Sequence, residues 1–258
     1  MKTMSANGPA AVHIGTSGWH YKHLVGTFYP AKMPPSKMLR YYLERFDTVE
    51  INNSFYRLPT AAAIEGWCRE TPPEFCFAVK ASRYITHNKK LSDPASAIQK
   101  FVNLVEKFER RLGPILFQLP PGWKLNRERL ESFLQALPRY HRYAFEFRNE
   151  TWNVPEVYEV LHRYNAAYCI YELAGYHSPI QITADFSYVR LHGPGANKYQ
   201  GDYSEATLRT WANRIKAWRK ELKHIFAYFD NDQAGYAPKN ALELKAMVEE
   251  KRTPSVAA

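Results

Sequence analysis

Glu50, Lys80, Gln118, Glu146, Arg148, Arg190, His192 and Asp230 all fall at or near the C-terminal ends of short apolar runs. Their types suit two kinds of chemistry. An imidazole ordinarily titrates near neutrality, so His192, with Glu146 or Glu50 as its carboxylate partner, could move protons in a general acid/base reaction. Lys80, Arg148 and Arg190 could bind a phosphate or carboxylate, which a guanidinium grips bidentately. Asn52 and Gln118 could orient groups, and Thr16 and Ser17 could donate hydrogen bonds beside Gly18, where a missing Cβ permits close approach. The plainer alternative is a structural ion-pair network, in which Arg148 neutralises Glu146 or Glu50 and His192 is hydrogen-bonded architecture. Lys80, desolvated beside an arginine, could also act as a Schiff-base amine, with anion contact the simpler use. No triad surrounds Ser17, which argues against a hydrolase nucleophile.

Residues so far apart in the chain act together only if the fold gathers their strand ends. The strand candidates are Val12 to Thr16, Thr48 to Asn52, Phe75 to Lys80, Ile115 to Leu119, Tyr143 to Arg148, Ala167 to Tyr171, Tyr188 to His192 and Ile225 to Asp230. Between most of them apolar residues recur at three and four, as in Leu39, Tyr42, Leu43, Phe46 and in Ile98, Phe101, Val105, Phe108, Leu112, the spacing of a helix. The second of these helices should be capped by Asp93, with Pro94 as its first residue, and should end at Gly113 and Pro114. Another should run from Ser204 as N-cap through Leu208, Trp211, Ile215, Trp218 and Leu222. Repeated strand–helix units imply a parallel sheet, and eight of them imply an α/β fold closed into a single (β/α)8 TIM barrel. From Glu172 to Phe186 there are Gly175, Pro179 and no helical period, so a loop is expected in place of helix six. One domain spans 11–250, with flexible tails at 1–10 and 251–258, and there is no internal repeat.

Successive strand side chains point to opposite faces, here the helix layer and the lumen. Phe145 and Phe147 should face helices, which leaves Glu146 and Arg148 inside; the same alternation sets Val49 and Ile51 against Glu50 and Asn52, and Val189 and Leu191 against Arg190 and His192. Enclosed charges must pair with one another, with water or with a ligand, and the C-terminal mouth of a barrel is where ligands bind.

After the seventh strand come Gly193, Pro194, Gly195, Lys198 and Gly201, on a loop that often holds phosphate in barrel enzymes, although neither GxxxxGK[ST] nor GxGxxG is matched. Asp230, Asp232 and Gly235 begin like a calcium loop, but Ala234 and Ala241 occupy ligand positions. No metal is assigned, since Arg148 and Arg190 neighbour the remaining candidates Glu146, His192 and Asp230. His20 and His23 lie on an aromatic loop and suit rim or structural roles. No cofactor is named by these residues.

The chain has 258 residues, 45% of them hydrophobic, which excludes a disordered or collagenous protein. A net charge of +10 favours anionic partners. Three cysteines, Cys68, Cys76 and Cys169, form no CxxC pair, so a reducing cytoplasm fits best, and no apolar run is long enough for a membrane span. Nucleic acid is the rival partner. Arg209, Arg214, Lys216, Arg219, Lys220 and Lys223 make one helix basic, and Trp19, Tyr21, Phe55, Tyr56 and Tyr199 could stack bases, although no nucleic-acid-binding signature accompanies them.

Several stretches resemble the domain-of-unknown-function 72 family, the YecE-like proteins. They are Ile14 to Trp19 (IGTSGW), Val49 to Tyr56 (VEINNSFY), Phe77 to Lys80 (FAVK) with Ile85 to His87, and Phe117 to Pro120 (FQLP). Glu146 to Arg148 with Trp152, Val189 to Gly193 (VRLHG), and Tyr228 to Asn231 (YFDN) with Asn240 and Ala241 complete the set. The resemblance spans nearly the whole chain and implies a TIM barrel, with no established reaction. Asp230 stands where the family's stretch has Asn, and Glu172 where it has Asp. Together these readings point to a barrel enzyme acting on a small anionic substrate by general acid/base chemistry. His192, Glu146 and Glu50 are its catalytic candidates; Thr16, Ser17, Trp19, Asn52, Tyr56, Lys80, Gln118, Arg148, Arg190, Gly193, Lys198, Asp230 and Asn231 are its binding candidates. A barrel that binds a ligand without turnover is the third reading.

Overall fold

The strands form because short β-branched and aromatic runs alternate with segments whose starts are capped. Thr60 accepts a hydrogen bond from the Ala63 amide, Asn126 from that of Arg129 and Ser204 from that of Thr207, while Pro35 and Pro155 open two further helices. The computed structural model describes residues 8–92 and 94–250. Its strands are β1 (Ala11–Thr16), β2 (Thr48–Ile51), β3 (Cys76–Lys80), β4 (Leu112–Leu119), β5 (Tyr143–Phe147), β6 (Ala167–Leu173), β7 (Tyr176–His177), β8 (Phe186–Leu191) and β9 (His224–Phe229). Its helices are α1 (Pro35–Leu43), α2 (Ala61–Glu70), α3 (Pro94–Val105), α4 (Arg127–Ala136), α5 (Pro155–Arg163), α6 (Glu205–Trp218) and α7 (Tyr236–Glu249).

Eight strands are parallel and ordered β1-β9-β8-β6-β5-β4-β3-β2, and a bridge from Ser17 to Glu50 brings the two ends together in a nearly closed barrel. This is the expected α/β TIM barrel. The ninth strand, β7, was not foreseen; it turns back antiparallel on β6, in the place where helix six is missing. The following segment covers that gap by hydrogen-bonding to β6 and its flank. Thr183 Oγ1 donates to the Ala166 carbonyl and accepts from the Tyr168 amide at 2.8 Å, and the Ser178 hydroxyl accepts from the Tyr171 amide at 2.8 Å. These two hydroxyls thereby satisfy backbone groups of β6 and its flank.

Three boundaries differ from expectation. The helix over 98–112 stops at Val105, gives way to a tight 3-10 segment with Glu109 at φ 54°, and yields Leu112, Gly113 and Pro114 to β4. The basic helix ends at Trp218 rather than reaching Leu222. Ala10, assigned to a tail, is buried and its amide donates to the Arg219 carbonyl. The expected cap Asp93, and tail residues 1–7 and 251–258, lie outside the described residues.

The alternation divides the interior as the strand parity requires. Val49, Ile51, Phe77, Val79, Phe117, Leu119, Phe145, Phe147, Val189 and Leu191 join the helices in one continuous apolar layer. Each such side chain contributes about 1.5–3 kcal/mol by leaving water. A second, smaller cluster fills the lumen. In it Phe186, Tyr188, Phe226 and Tyr228 from β8 and β9 meet Ala78, Leu116, Ala144, Ala167 and Cys169 from β3 to β6. Large side chains on one wall interlock with small ones opposite, so the lumen floor is solid and only the layer above it is polar.

At the seam, β1 passes so close to β2 that a Cβ on Gly15 would lie 2.5 Å from the Thr48 carbonyl oxygen, which Tyr42 Oη also binds at 3.0 Å. Gly15→Ala is therefore expected to open the seam, at a cost of about 1–3 kcal/mol of the overpacking kind. A urea midpoint indistinguishable from that of the unsubstituted protein would contradict it.

Candidate functional site

The barrel's C-terminal mouth is built on one buried guanidinium. Arg190, on the inner face of β8, is 1% exposed and lies between three carboxylates. Its Nε donates to Glu50 Oε2 at 3.0 Å and one Nη to Glu50 Oε1 at 2.7 Å, a bidentate pair across the lumen. That same Nη reaches Asp230 Oδ2 at 3.2 Å, and the other reaches Glu146 Oε2 at 2.8 Å and His192 Nε2 at 3.2 Å. A guanidinium has five N–H donors, and these contacts engage every nitrogen that carries them. Burial weighs against the cation, but Glu50, Glu146 and Asp230 outweigh it and hold Arg190 well above its ordinary value.

Each carboxylate has further partners. Glu50 accepts from Ser17 Oγ at 2.7 Å and from Tyr188 Oη at 2.6 Å, and Glu146 also binds Arg148 Nε. Burial, the largest influence on Glu146, opposes ionisation, yet Arg148, Arg190, His192 and Lys80 together hold it well below the carboxylate range. Asp230 behaves oppositely: burial raises it, and Arg190, Lys80 and Arg148 do not fully compensate.

His192 lies between two kinds of partner. Nε2 faces the Arg190 and Arg148 nitrogens, at 3.2 and 3.1 Å, and both are donors, so this atom must accept. Nδ1 lies 3.0 Å from Asp230 Oδ2 and must therefore carry the proton. Burial, then Arg190 and Arg148, push the imidazole well below its usual range, consistent with a neutral ring in this tautomer.

Lys80 ends β3 on the inner face and is 7% exposed. Its Nζ lies over the Phe55 ring, 4.2 Å from the centroid, and forms no ion pair with any described carboxylate. Burial, the largest influence, and Arg190 lower the amine to about 8. Asn52 is half-buried, with an Oδ1 that finds no partner among the described residues.

Beside this network lies a cavity of about 450 Å³, lined by Gln118, Arg148, Tyr171, Tyr176, Lys198 and Tyr199 among others. Arg148 belongs to both. Its guanidinium binds Glu146 and His192 on one side and lies 4.6 Å from the Tyr171 ring centroid on the other. Tyr171 and Tyr176 were missed by sequence reading. Tyr171 had a usable signal, because Ala167, Cys169 and Tyr171 share the inner parity of β6; Tyr176 had none, since it arrives on the unforeseen β7.

Several sequence candidates are turned elsewhere. Thr16 shares the outer face of β1 with Ile14, and its hydroxyl binds the Gly18 carbonyl and Tyr42 Oη at 3.0 Å. Trp19 follows Gly18, whose φ of 95° breaks the alternation, and packs edge-on to Trp67 at 5.3 Å between α1 and α2. Asn231 is fully buried, and its amide ties the Gly201 carbonyl at 2.8 Å to Asn240 Oδ1 at 2.9 Å, clasping the loop after β8 to α7. Glu172, on the outer face of β6, accepts from Trp211 Nε1 at 3.0 Å. Tyr56 is 75% exposed and packs edge-on to Phe55. On the basic helix, Arg209 pairs with Glu205 and Glu250, Lys216 Nζ donates to the Glu250 carbonyl, and Arg214 covers the Trp211 ring.

A family model for proteins of unknown function, DUF72, matches residues 13–258. The chain belongs to the DUF72 family. It is 26% identical to the UPF0759 protein YunF of Bacillus subtilis over 275 aligned positions, gaps included, an alignment that covers 92% of this chain and 95% of that one. A crystal structure of a DUF72 family protein from Thermotoga maritima superposes with a TM-score of 0.85 at 31% identity, covering 93% of this chain and all of the other. A second DUF72 structure, from Enterococcus faecalis, gives a TM-score of 0.78 at 17% identity over 94% of this chain and 97% of that one, a likeness of fold alone. The buried network of this DUF72 protein is therefore carried on the family's barrel. Among the described residues, no helix is long and apolar enough to cross a membrane.

Proposed function

We propose that this DUF72 protein is an enzyme that binds a small molecule bearing a phosphate or carboxylate at the barrel mouth and moves a proton on it. The observation that carries this reading is Arg148, which joins the buried network to the cavity. Its Nε and one Nη are engaged by Glu146 and His192, while its other Nη has no hydrogen bond to any described residue. A guanidinium anchored at one edge and open at the other is preorganised for an anion, and Lys198 and Gln118 line the same cavity.

In this reading Arg190, Glu50 and Glu146 are anchors. Their donors and acceptors are already engaged with one another, so they fix the layer on which ligand and proton-moving groups rest. The His192–Asp230 pair moves the proton. An anion that draws the Arg148 Nη toward the cavity leaves Nε2 only its longer contact with Arg190 at 3.2 Å, which a substrate proton would have to displace, while Asp230 keeps Nδ1 protonated. Lys80 adds a buried amine on the opposite side of β4.

Titration calorimetry with inorganic phosphate and with small carboxylates tests the anion site. Arg148→Gln is expected to weaken binding roughly 10- to 100-fold, the loss of one charge-assisted hydrogen bond of about 1.5–3 kcal/mol, with the thermal midpoint nearly kept because Arg190 still covers Glu146. Unchanged affinity would remove the reading. Native mass spectrometry of the purified protein supplies a second test if a small anion travels with it. The unsubstituted protein should convert that molecule on prolonged incubation, and His192→Gln should bind it unaltered. A molecule recovered unchanged from both would leave a binding barrel without turnover.

A further inference from the structure

We propose that Lys80 is a nucleophilic amine that forms a Schiff base with the carbonyl carbon of an anionic aldehyde or ketone held at the mouth. The inference rests on the anion site proposed above and adds the substrate's reactive group.

The argument starts from what Lys80 lacks. Every other strong charge in the layer is matched: Arg190 by Glu50, Glu146 and Asp230, and Arg148 by Glu146. Lys80 Nζ has neither hydrogen bond nor ion pair among the described residues, although the side chain is 7% exposed and three carboxylates share the layer. Those carboxylates point their oxygens at the guanidiniums, His192, Ser17 and Tyr188. An ammonium ion buried without a counter-ion is costly, whereas a neutral amine is not. The lowered value of about 8 follows from that burial first and from Arg190 second, and it leaves an appreciable neutral fraction near neutral pH.

A lysine retained only to grip an anion would gain from staying charged and hydrated at the rim, as Lys198 is placed. Lys80 is instead inside, with its amine over the Phe55 ring. Desolvation of this kind activates an amine toward carbonyl carbon.

The spacing suits one substrate. Lys80 ends β3 and Arg148 follows β5, with Gln118 on β4 between them. Two strand spacings separate their backbones by about 10 Å, and both side chains are long, so a carbonyl a few bonds from its own carboxylate or phosphate can meet both. The step needs no oxidant. The Nζ lone pair forms the C–N bond as the carbonyl π pair moves to oxygen; one N–H proton passes to that oxygen and gives a carbinolamine. The second N–H proton leaves with the hydroxyl as water, and the nitrogen lone pair closes the C=N bond.

The test is reductive trapping. The full chain is incubated with pyruvate, and separately with glyceraldehyde 3-phosphate, in the presence of cyanoborohydride, then read by intact mass and peptide mapping. A single adduct on Lys80 is expected, formed faster as pH rises through about 8 and slowed by inorganic phosphate. Lys80→Arg should fold and lose the adduct; should it not fold, the peptide map of the unsubstituted protein decides alone. Modification spread over exposed lysines, with Lys80 unmodified, would overturn the inference. If that happens while phosphate binding still depends on Arg148, the covalent step fails and the anion site stands. If Lys80 is trapped but phosphate neither binds nor competes, the amine stands and the anion site fails.

Discussion

Arg190→Met is expected to lose about 3–5 kcal/mol of folding stability at neutral pH, a large share of what a domain this size possesses. Methionine fills much of the volume, so packing is not the main loss. The loss comes from Glu50, Glu146 and Asp230, which meet in one buried layer and have Arg190 as their shared counter-ion. Removing one member of a buried pair leaves an uncompensated charge, and here one member serves three partners. The pH dependence gives a sharper check. In the unsubstituted protein Glu146 is held well below the ordinary carboxylate range, so its contribution is present above the unfolded-state value and lost as pH falls through the folded-state one. Without Arg190 the crowded carboxylates are pushed up instead. They then bind protons in the folded state before the unfolded one, and stability rises as pH is lowered from about 7 to about 5. Urea unfolding of both proteins at the two pH values should show the variant regaining stability toward pH 5 relative to the unsubstituted protein, in which Glu146 contributes no change over that range. An equal deficit at both would mean that the carboxylates do not depend on Arg190 as their positions suggest.

The same layer shows how far a sequence carries such a site. The alternation of Phe145 and Phe147 with Glu146 and Arg148 places the charges inside because strand parity is a local property, and β5 keeps it throughout. What is not local is who meets whom. Glu50 and Arg190 are 140 positions apart and join across the lumen from β2 and β8, strands that are not neighbours in the sheet. Barrel closure and strand tilt decide that contact, and neither is written in any short stretch. Parity also fails where a strand ends. Thr16 keeps to the outer face, which its alternation with Ser17 already implied, but Trp19 lies beyond a glycine with positive φ and is swung to the helix layer. The missing sixth helix was legible from Gly175 and Pro179, which break any helical period. Its replacement was not, because a two-residue strand such as β7 exists only by pairing with β6, and Tyr176 reaches the cavity on it. The saturation of Arg190 is hidden for a related reason: composition counts cations and anions, but only geometry shows which donors remain free.

Gly193→Ala is expected to damage both stability and the mouth. Gly193 follows His192 directly, with φ of 108°, a region that side chains with a Cβ rarely enter, which alone costs about 1–3 kcal/mol. A Cβ there would also lie 2.1 Å from the Gln200 carbonyl oxygen and 3.0 Å from that residue's nitrogen and carbonyl carbon. Backbone cannot rotate away as a side-chain tip can, so the loop must move, adding about 1–3 kcal/mol of overpacking strain. What moves matters for function. The Gly193 amide donates to Tyr203 Oη at 3.1 Å, which pins the far end of the same loop, and Asn231 holds its Gly201 carbonyl. Between these clasps lie Lys198 and Tyr199, both lining the cavity, and the Tyr199 ring stands edge-on to His192 at 5.5 Å. A displaced loop takes Lys198 from the proposed anion site and Tyr199 from the imidazole without altering any charge. Gly193→Ala should therefore lower the urea midpoint, expose residues 194–202 to faster limited proteolysis and weaken phosphate binding together. Loss of phosphate affinity with a fully protected loop would mean that Gly193 acts through its own contact with the ligand. A wild-type midpoint would mean that the loop accommodates a Cβ without strain, and that the close approach of Gly193 to Gln200 does not set the shape of the mouth.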